Sequence, residues 1–450
     1  MISGKEKIML INLLDLRKIL ELCVLGEENR GKEISGLMEE LKNTEDSYDA
    51  FDVFSKKLAA LPLRKDWPYV EPDDFEAIKK EWDKGAEMES RPVDDAGGRV
   101  KEAFLSRVCG CMLGKPVEFN PTLDELKKAG EKTGEWPLSD YISDKFLDAV
   151  GRHNECRYVT AREKIKYAVP DDDLNYTVLG MLILEKYGKG FLKENQRDMW
   201  LSMLAPGLTY GPERNIMAKA SLSGIEIWGF EKENPDFEDW RTRLNPGNEL
   251  CGAMIRVDAY GYACAGNPAL AAELAYKDAS FTHVKTGVYS SMYIAAAIAL
   301  AAVEKNLFTV MKRALEYVPQ KSRFAEITRD CLEIVEKAGS WMDAYSEINK
   351  KYGEYTHCAI YQETGELINS LHFSKNPHEA FCLQVMQGND TDSFGATAGS
   401  IAGMFYGKGS LDKKWLKPFN NIIHTSLADF HEQDLNALAG RISKLPERVK

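Results

Sequence analysis

Apolar residues recur every three or four positions through most of this chain, which is the spacing of an amphipathic α-helix. The pattern predicts helices over 75–84, 100–113, 174–187, 269–276, 288–303, 308–318, 324–338 and 341–352. Alternating runs of Val, Ile and Thr, which are typical of half-buried strands, are nearly absent. We therefore predict an all-α protein whose helices are joined by loops rich in Gly and Pro.

The clearest interruption of this pattern lies at 91–98, where a proline, paired aspartates and paired glycines follow one another. Before it, residues 1–60 combine a helical spacing of apolar residues with many charges. The sequence therefore predicts a helical N-terminal extension over 1–95, of unknown role, and a larger domain over 96–450.

Composition excludes several classes of protein. With 450 residues, 44% hydrophobic and 28% charged, the chain is a folded protein and not a disordered one. A net charge of -12 and no run of more than two basic residues argue against broad nucleic-acid binding. Nine cysteines without a C-x-x-C pair favour reduced thiols, and no stretch reads as a signal peptide or a membrane span. We expect a cytoplasmic protein that does not bind membranes.

The first cluster with possible chemistry is Asp171, Asp172 and Asp173, directly before an amphipathic helix. One aspartate there is explained as a helix cap, since the helix dipole favours an acidic residue by about 0.3–1 kcal/mol. Three adjacent carboxylates repel one another, and a bound cation would offset that repulsion. The residues alone leave both interpretations open.

The second cluster is the loop 388–395, in which Asp390, Asp392 and Ser393 offer two carboxylates and a hydroxyl. Hard cations such as Mg²⁺ prefer oxygen ligands of this kind. The alternative is an acidic turn that caps the next helix, and a single D-x-D occurs in other classes, including glycosyltransferases.

The helix after this loop carries a glycine stripe at Gly395, Gly399 and Gly403. Each glycine inside a helix costs about 1 kcal/mol relative to alanine. The stripe therefore predicts that another backbone packs very close to this helix and holds the acidic loop rigidly.

Two further residues are less distinctive. Glu118 follows a predicted helix end at Gly114, and Pro116 directs the chain into an extended exit that can aim Glu118 at a site. His283 lies at the start of an alanine-rich helix. Taken alone, Glu118 is interpreted as a charged residue on the surface. His283 is interpreted as a helix-capping or core residue.

Together these segments resemble the ADP-ribosylglycohydrolase family, also called the dinitrogenase-reductase-activating glycohydrolase family. The resemblance covers about residues 99–410, with its most specific part at 388–393, and does not include the first 95 residues. The matching segments, in the family's order, are 110–118, 171–177, 282–283 and 388–407.

The resemblance implies a compact, orthogonal all-α bundle whose catalytic domain, here 96–450, holds two Mg²⁺ ions, for which Mn²⁺ can substitute. The metal ligands it implies are Asp171, Asp172, Asp173, Asp390, Asp392 and Ser393. The catalytic residues it implies are Glu118, Asp172 and Asp392. The substrate-binding residues it implies are Glu118, Gly252, Ala253, His283 and Asn389.

The reaction implied by the resemblance is hydrolysis of the glycosidic bond at ribose C1 of an ADP-ribosylated protein or small molecule. Two departures from the family pattern bear on it. Asp171 replaces the usual Thr, and the family's glycine-rich phosphate loop is only partly matched by 250–256. A smaller N-ribosyl substrate therefore stays open.

Two other functions also stay open. One is a catalytically silent ADP-ribose-binding protein on the same fold. The other is a glycosyltransferase that uses Asp390 and Asp392, which would require a strand-rich nucleotide-binding domain. The oligomeric state is not predicted.

Overall fold

A computed structural model describes residues 12–221, 235–355 and 357–449. Helices make up 64% of the structure, and the described residues form only isolated β-bridges and no strand. The prediction of an all-α protein is therefore confirmed. None of the helices in these ranges has the length and apolar character needed to cross a membrane.

Between residue 12 and the interruption at 91–98 the structure describes four helices. They are α1 (Leu13–Asn29), α2 (Leu37–Asn43), α3 (Tyr48–Ala59) and α4 (Phe75–Lys80). The first three pack around a small hydrophobic core of their own, which includes Leu20 and Phe51. Arg243 joins them to the rest of the chain through an ion pair of 2.7 Å with Asp52 of α3. The part of the predicted extension before residue 12 lies outside the described residues.

The remaining helices surround the main hydrophobic core. The first nine are α5 (Ala96–Gly114), α6 (Leu123–Thr133), α7 (Asp144–Val150), α8 (Arg157–Thr160), α9 (Asp172–Tyr187), α10 (Lys193–Met203), α11 (Gly211–Ser221), α12 (Phe237–Thr242) and α13 (Asp258–Ala263). The others are α14 (Pro268–Ala279), α15 (Lys285–Ala301), α16 (Leu307–Ala314), α17 (Arg323–Lys337), α18 (Trp341–Tyr352), α19 (Tyr361–Phe373), α20 (Pro377–Met386), α21 (Thr391–Tyr406) and α22 (Leu435–Ile442).

Helix ends differ from the predicted ends where tertiary contacts intervene. The helix predicted over 75–84 ends at Lys80, because the Asp83 N–H donates to the Glu316 carbonyl and Trp82 packs edge-on against Tyr317. Helix α18 has the predicted bounds. Local spacing therefore located the helices, and packing partners set several of their ends.

Helix α15 lies at the centre of the molecule. Every one of its residues after Lys285 is buried. A helix that is apolar on all sides is stable only when other elements surround it. Helices α13, α14, α16, α17 and α21 therefore pack against α15 and cover it.

Helices α5 and α21 pack very closely against each other. The glycine stripe of α21 allows this close contact. A Cβ on Gly399 would lie 2.3 Å from the Ser106 carbonyl oxygen. A Cβ on Gly114 would lie 2.2 Å from the Thr391 carbonyl oxygen. The predicted close backbone contact is confirmed, and the antiparallel arrangement puts the end of α5 beside the acidic loop that precedes α21.

Candidate functional site

The two acidic segments meet at a single lysine. The Lys115 Nζ lies 2.6 Å from Asp171 Oδ2, 3.0 Å from Asp392 Oδ2 and 2.6 Å from Glu118 Oε2. Roughly 200 residues of sequence separate the two aspartates, so only the packing of α5, α9 and α21 brings them together. Sequence analysis did not single out Lys115.

Helix ends position these carboxylates. Asp171 is the N-cap of α9, and its Oδ1 accepts the Asp173 backbone N–H at 3.0 Å. Thr391, the first residue of α21, donates its hydroxyl to the Gly114 carbonyl at 2.9 Å. Asp171 therefore acts as a helix cap with one oxygen while its other oxygen faces Lys115, and Thr391 ties the second acidic loop to the end of α5.

Asp173 lies behind the cleft and not on its surface. Its Oδ1 is 3.2 Å from Arg107 Nη2, and Arg107 Nη1 is 3.0 Å from Asp258 Oδ1. All three side chains are fully buried. This ion pair network anchors the first turn of α9 to α5, and neither Arg107 nor Asp258 gave a signal in the sequence.

Two thiols contact the second acidic loop. Cys251 Sγ and Cys358 Sγ lie 3.5 and 3.6 Å from Asp390 Oδ2. The Cys251 backbone N–H also donates to the Cys358 carbonyl at 3.0 Å. The irregular spacing of the cysteines in the sequence gave no indication of this contact.

The carboxylates carry more negative charge than their surroundings balance. Burial, with Asp171 nearby, raises the pKa of Asp172 to about 7, and burial also raises the pKa of Asp390 well above its ordinary value. For Asp171, burial opposes ionisation, but Lys115 lowers its pKa below the ordinary value. One lysine therefore stabilises one of these groups in its charged form and leaves the others unbalanced.

The donor set fits a hard divalent cation. Asp173 Oδ2 and Asp392 Oδ1 are buried and have no hydrogen-bond partner. Unpartnered carboxylate oxygens in the interior are costly, and a bound cation removes the cost. The neighbouring carboxylates and the Ser393 hydroxyl suit Mg²⁺ or Mn²⁺, and thiols lie beside them, with Cys111 near Asp171 and Asp173 and with Cys251 and Cys358 near Asp390.

Two cavities meet at the acidic cluster. They measure about 540 and 270 Å³ and share Glu118, Asp172 and Tyr210 in their linings. The Asn154 amide donates to Glu118 Oε2 at 2.9 Å and holds that carboxylate at the junction. The larger cavity is also lined by Lys115, and the smaller one by Asp390, Ser393 and Gly252.

Three residues predicted to bind substrate line neither cavity. His283 is fully buried, and its ring nitrogen is 2.7 Å from the Thr282 hydroxyl. Asn389 has a φ of 57°, and its amide donates to Glu366 at 2.8 Å, so it shapes the acidic loop. Ala253 is buried. Packing directs these three side chains into the interior, and their roles in substrate binding stay predictions.

The partly matched phosphate loop forms a 3-10 helix over Cys251–Arg256. Arg256 turns inward, where its guanidinium lies 2.7 Å from Glu213 and 2.5 Å from Asp278. Gly252 remains on the cavity wall, and a Cβ there would lie 2.6 Å from Glu213 Oε1. This segment therefore lines the cleft with a glycine and contributes no positively charged side chain to it.

Comparison with known proteins gives one family. A search of curated proteins finds no match. A solved structure described as an ADP-ribosylglycohydrolase-related protein complex is similar, with a TM-score of 0.48 and 17% identity over 78% of this chain and 99% of that chain. The sequence model of the ADP-ribosylglycohydrolase family matches residues 92–449. Since that match spans well over half of the sequence, the chain belongs to the ADP-ribosylglycohydrolase family.

Proposed function

We propose that this protein is a divalent-metal-dependent hydrolase that cleaves the glycosidic bond at ribose C1 of an ADP-ribosylated protein or small molecule. Membership of a family of ADP-ribosylglycohydrolase-type hydrolases supports the reaction class. The observation that carries the proposal is that Lys115 joins Asp171 to Asp392, while Asp172 lines both cavities and Asp390 lines the smaller one.

The residues that would hold the metal are Asp171, Asp172, Asp390, Asp392 and Ser393, with Asp173 behind them. When bound there, Mg²⁺ or Mn²⁺ orients ribose hydroxyls and activates water. The sequence resemblance implied two ions.

Three carboxylates are proposed to act on the substrate. Glu118 lies at the junction of the cavities, and burial, followed by the charge of Asp392, raises its pKa, so it can carry a proton near neutral pH. Asp172 also borders both cavities, where a carboxylate can stabilise positive charge that develops at C1. Asp392, which forms an ion pair with Lys115, would help to hold the divalent cation.

A second candidate is hydrolysis of a smaller N-ribosyl compound. Among the described residues that line the smaller cavity there is no Lys or Arg. Arg256, the cation of the phosphate-loop segment, is committed to Glu213 and Asp278 in the interior. A pyrophosphate would find no basic side chain there, which favours a substrate with fewer phosphates.

One assay tests both candidates. It offers ADP-ribosyl-arginine, an ADP-ribosyl-serine peptide, O-acetyl-ADP-ribose and simple nucleosides, with and without Mn²⁺, and measures the released ribosyl product. We expect metal-dependent turnover that Asp172→Asn and Asp392→Asn reduce by orders of magnitude. Asp198→Asn is the matched control, since this carboxylate is 58% exposed and pairs only with a neighbouring arginine.

The outcomes separate the alternatives. Turnover of nucleosides but not of ADP-ribosylated substrates would select the smaller N-ribosyl compound. Absence of turnover on every substrate, together with micromolar binding of ADP-ribose, would identify a silent ADP-ribose-binding protein. Loss of activity in Asp198→Asn equal to that in Asp172→Asn would mean that the effect is not specific to the cleft.

A further inference from the structure

Lys115 occupies a position that suits a metal ion better than a side chain. Its ammonium is within 3.0 Å of three carboxylates, and its side chain is only 14% exposed. Two of those carboxylates, Asp171 and Asp392, belong to the two segments whose oxygens would otherwise share a cation. The ammonium therefore already supplies the positive charge that joins the two acidic segments.

A divalent ion cannot share this position with the ammonium. Mg²⁺ binds oxygen at about 2.0–2.1 Å, so an ion that bridged Asp171 Oδ2 and Asp392 Oδ2 would overlap Lys115 Nζ and be repelled by its charge. An ammonium has three N–H donors, and Lys115 has three carboxylate partners. The ammonium therefore forms ion pairs with all three carboxylates, and it donates a hydrogen bond to Asp392 Oδ2 at 3.0 Å.

Other oxygens of the cluster remain available to one ion. Asp392 Oδ1 and Asp173 Oδ2 have no hydrogen-bond partner, although both side chains are almost completely buried. Asp172 and Asp390 border the cavities through which an ion can enter.

We propose that the Lys115 ammonium takes the place of one of the two divalent cations, so that the folded protein binds a single divalent ion. This inference rests on one part of the proposed function, namely that the cleft binds a divalent metal ion. Lys115 is a positioning residue, because its ion pairs with Glu118, Asp171 and Asp392 orient these three carboxylates.

The experiment measures how many Mn²⁺ ions bind to the metal-free protein, by titration calorimetry and by electron paramagnetic resonance of free Mn²⁺, with no substrate present. We expect one Mn²⁺ per chain for the wild type and for Lys115→Arg, which keeps the charge. Lys115→Met removes the charge and should bind two. Lys145→Met is the matched control, because it removes a lysine that is 60% exposed and pairs with Glu135, and it should bind one.

Two Mn²⁺ ions in the wild type, none in the wild type, or one in a folded Lys115→Met would each overturn the inference. Circular dichroism checks the fold of each variant. If Lys115→Met does not fold, the wild-type and Lys115→Arg stoichiometries still decide the question.

The product assay is a separate arm. A protein that binds one Mn²⁺ and releases no ribosyl product refutes the proposed hydrolase and leaves this inference standing. A protein that binds two and hydrolyses its substrate refutes this inference and supports the hydrolase.

Discussion

Gly110 and Gly395 face each other where α5 packs against α21, and neither position has room for a side chain. A Cβ on Gly110 would lie 2.0 Å from the Gly395 carbonyl oxygen, and a Cβ on Gly395 would lie 2.8 Å from that of Gly110. The facing ends of these helices carry Lys115 and Asp392. The spacing inside the cleft therefore depends on the absence of side chains along this contact.

Gly399→Ala should lower the free energy of unfolding by about 1–3 kcal/mol, because its Cβ would press on the Ser106 carbonyl and force the helices apart. Gly440→Ala on α22 is the matched control, since nothing lies within 4 Å of a Cβ there. The free energy of unfolding of that control should rise by up to about 1 kcal/mol, which is the usual advantage of alanine over glycine in a helix. Urea unfolding measures both, and equal effects would contradict the packing argument.

Mn²⁺ should stabilise the folded protein, because ions bind the assembled cluster and not the unfolded chain. When the free Mn²⁺ concentration is about 100 times the Kd, the free energy of unfolding rises by about 2.7 kcal/mol. Thermal melts with and without Mn²⁺ measure it. Asp392→Asn should remove most of the rise in Tm, whereas Asp198→Asn should keep it. A rise that Asp392→Asn retains would locate the bound ion elsewhere.

Without metal, the protein should lose stability as the pH rises through the range in which Asp172 titrates. The pKa of Asp172 is raised from 3.8 to about 7 by burial and by Asp171, so the folded state keeps a proton that the unfolded chain has released. The free energy of unfolding contributed by this group therefore falls from about pH 4 to about pH 7.

Metal binding needs ionised ligands, so the stabilisation by Mn²⁺ should grow over the same range. Melts between about pH 5 and pH 8 test this, with Asp172→Asn expected to flatten the slope of the metal-free protein. A stabilisation by Mn²⁺ that is larger at pH 5 would contradict the assignment.

Arg107→Met should destabilise the protein by about 3–5 kcal/mol, because it leaves the buried carboxylates of Asp173 and Asp258 without their cationic partner. The control is Arg162→Met, which removes an arginine that is 30% exposed and has longer ion pairs. Partly exposed pairs contribute about 0–1 kcal/mol, so the control should change the midpoint of urea unfolding little. A similar loss in both variants would show that burial is not the cause.

The sequence by itself determined the helices, the glycine contact and the acidic segments. Each of these is a local signal: apolar spacing, glycines one turn apart, or adjacent carboxylates at a helix start. Gly399 could be interpreted without a partner, since a glycine inside a helix is costly unless close packing requires it. The roles proposed for Asp172 and Glu118 remain predictions, although both residues lie at the junction of the cavities.

Only the tertiary structure decided the surroundings of Lys115 and His283. A single lysine between a glycine and a proline has no local feature that distinguishes it from a solvated charge, and its three carboxylate partners come from three separate segments of the chain. The residues around His283 left a capping or core position open, the family resemblance implied substrate binding, and the structure shows a completely buried side chain. Contacts between distant segments set charge and burial, and no spacing within one segment contains that information.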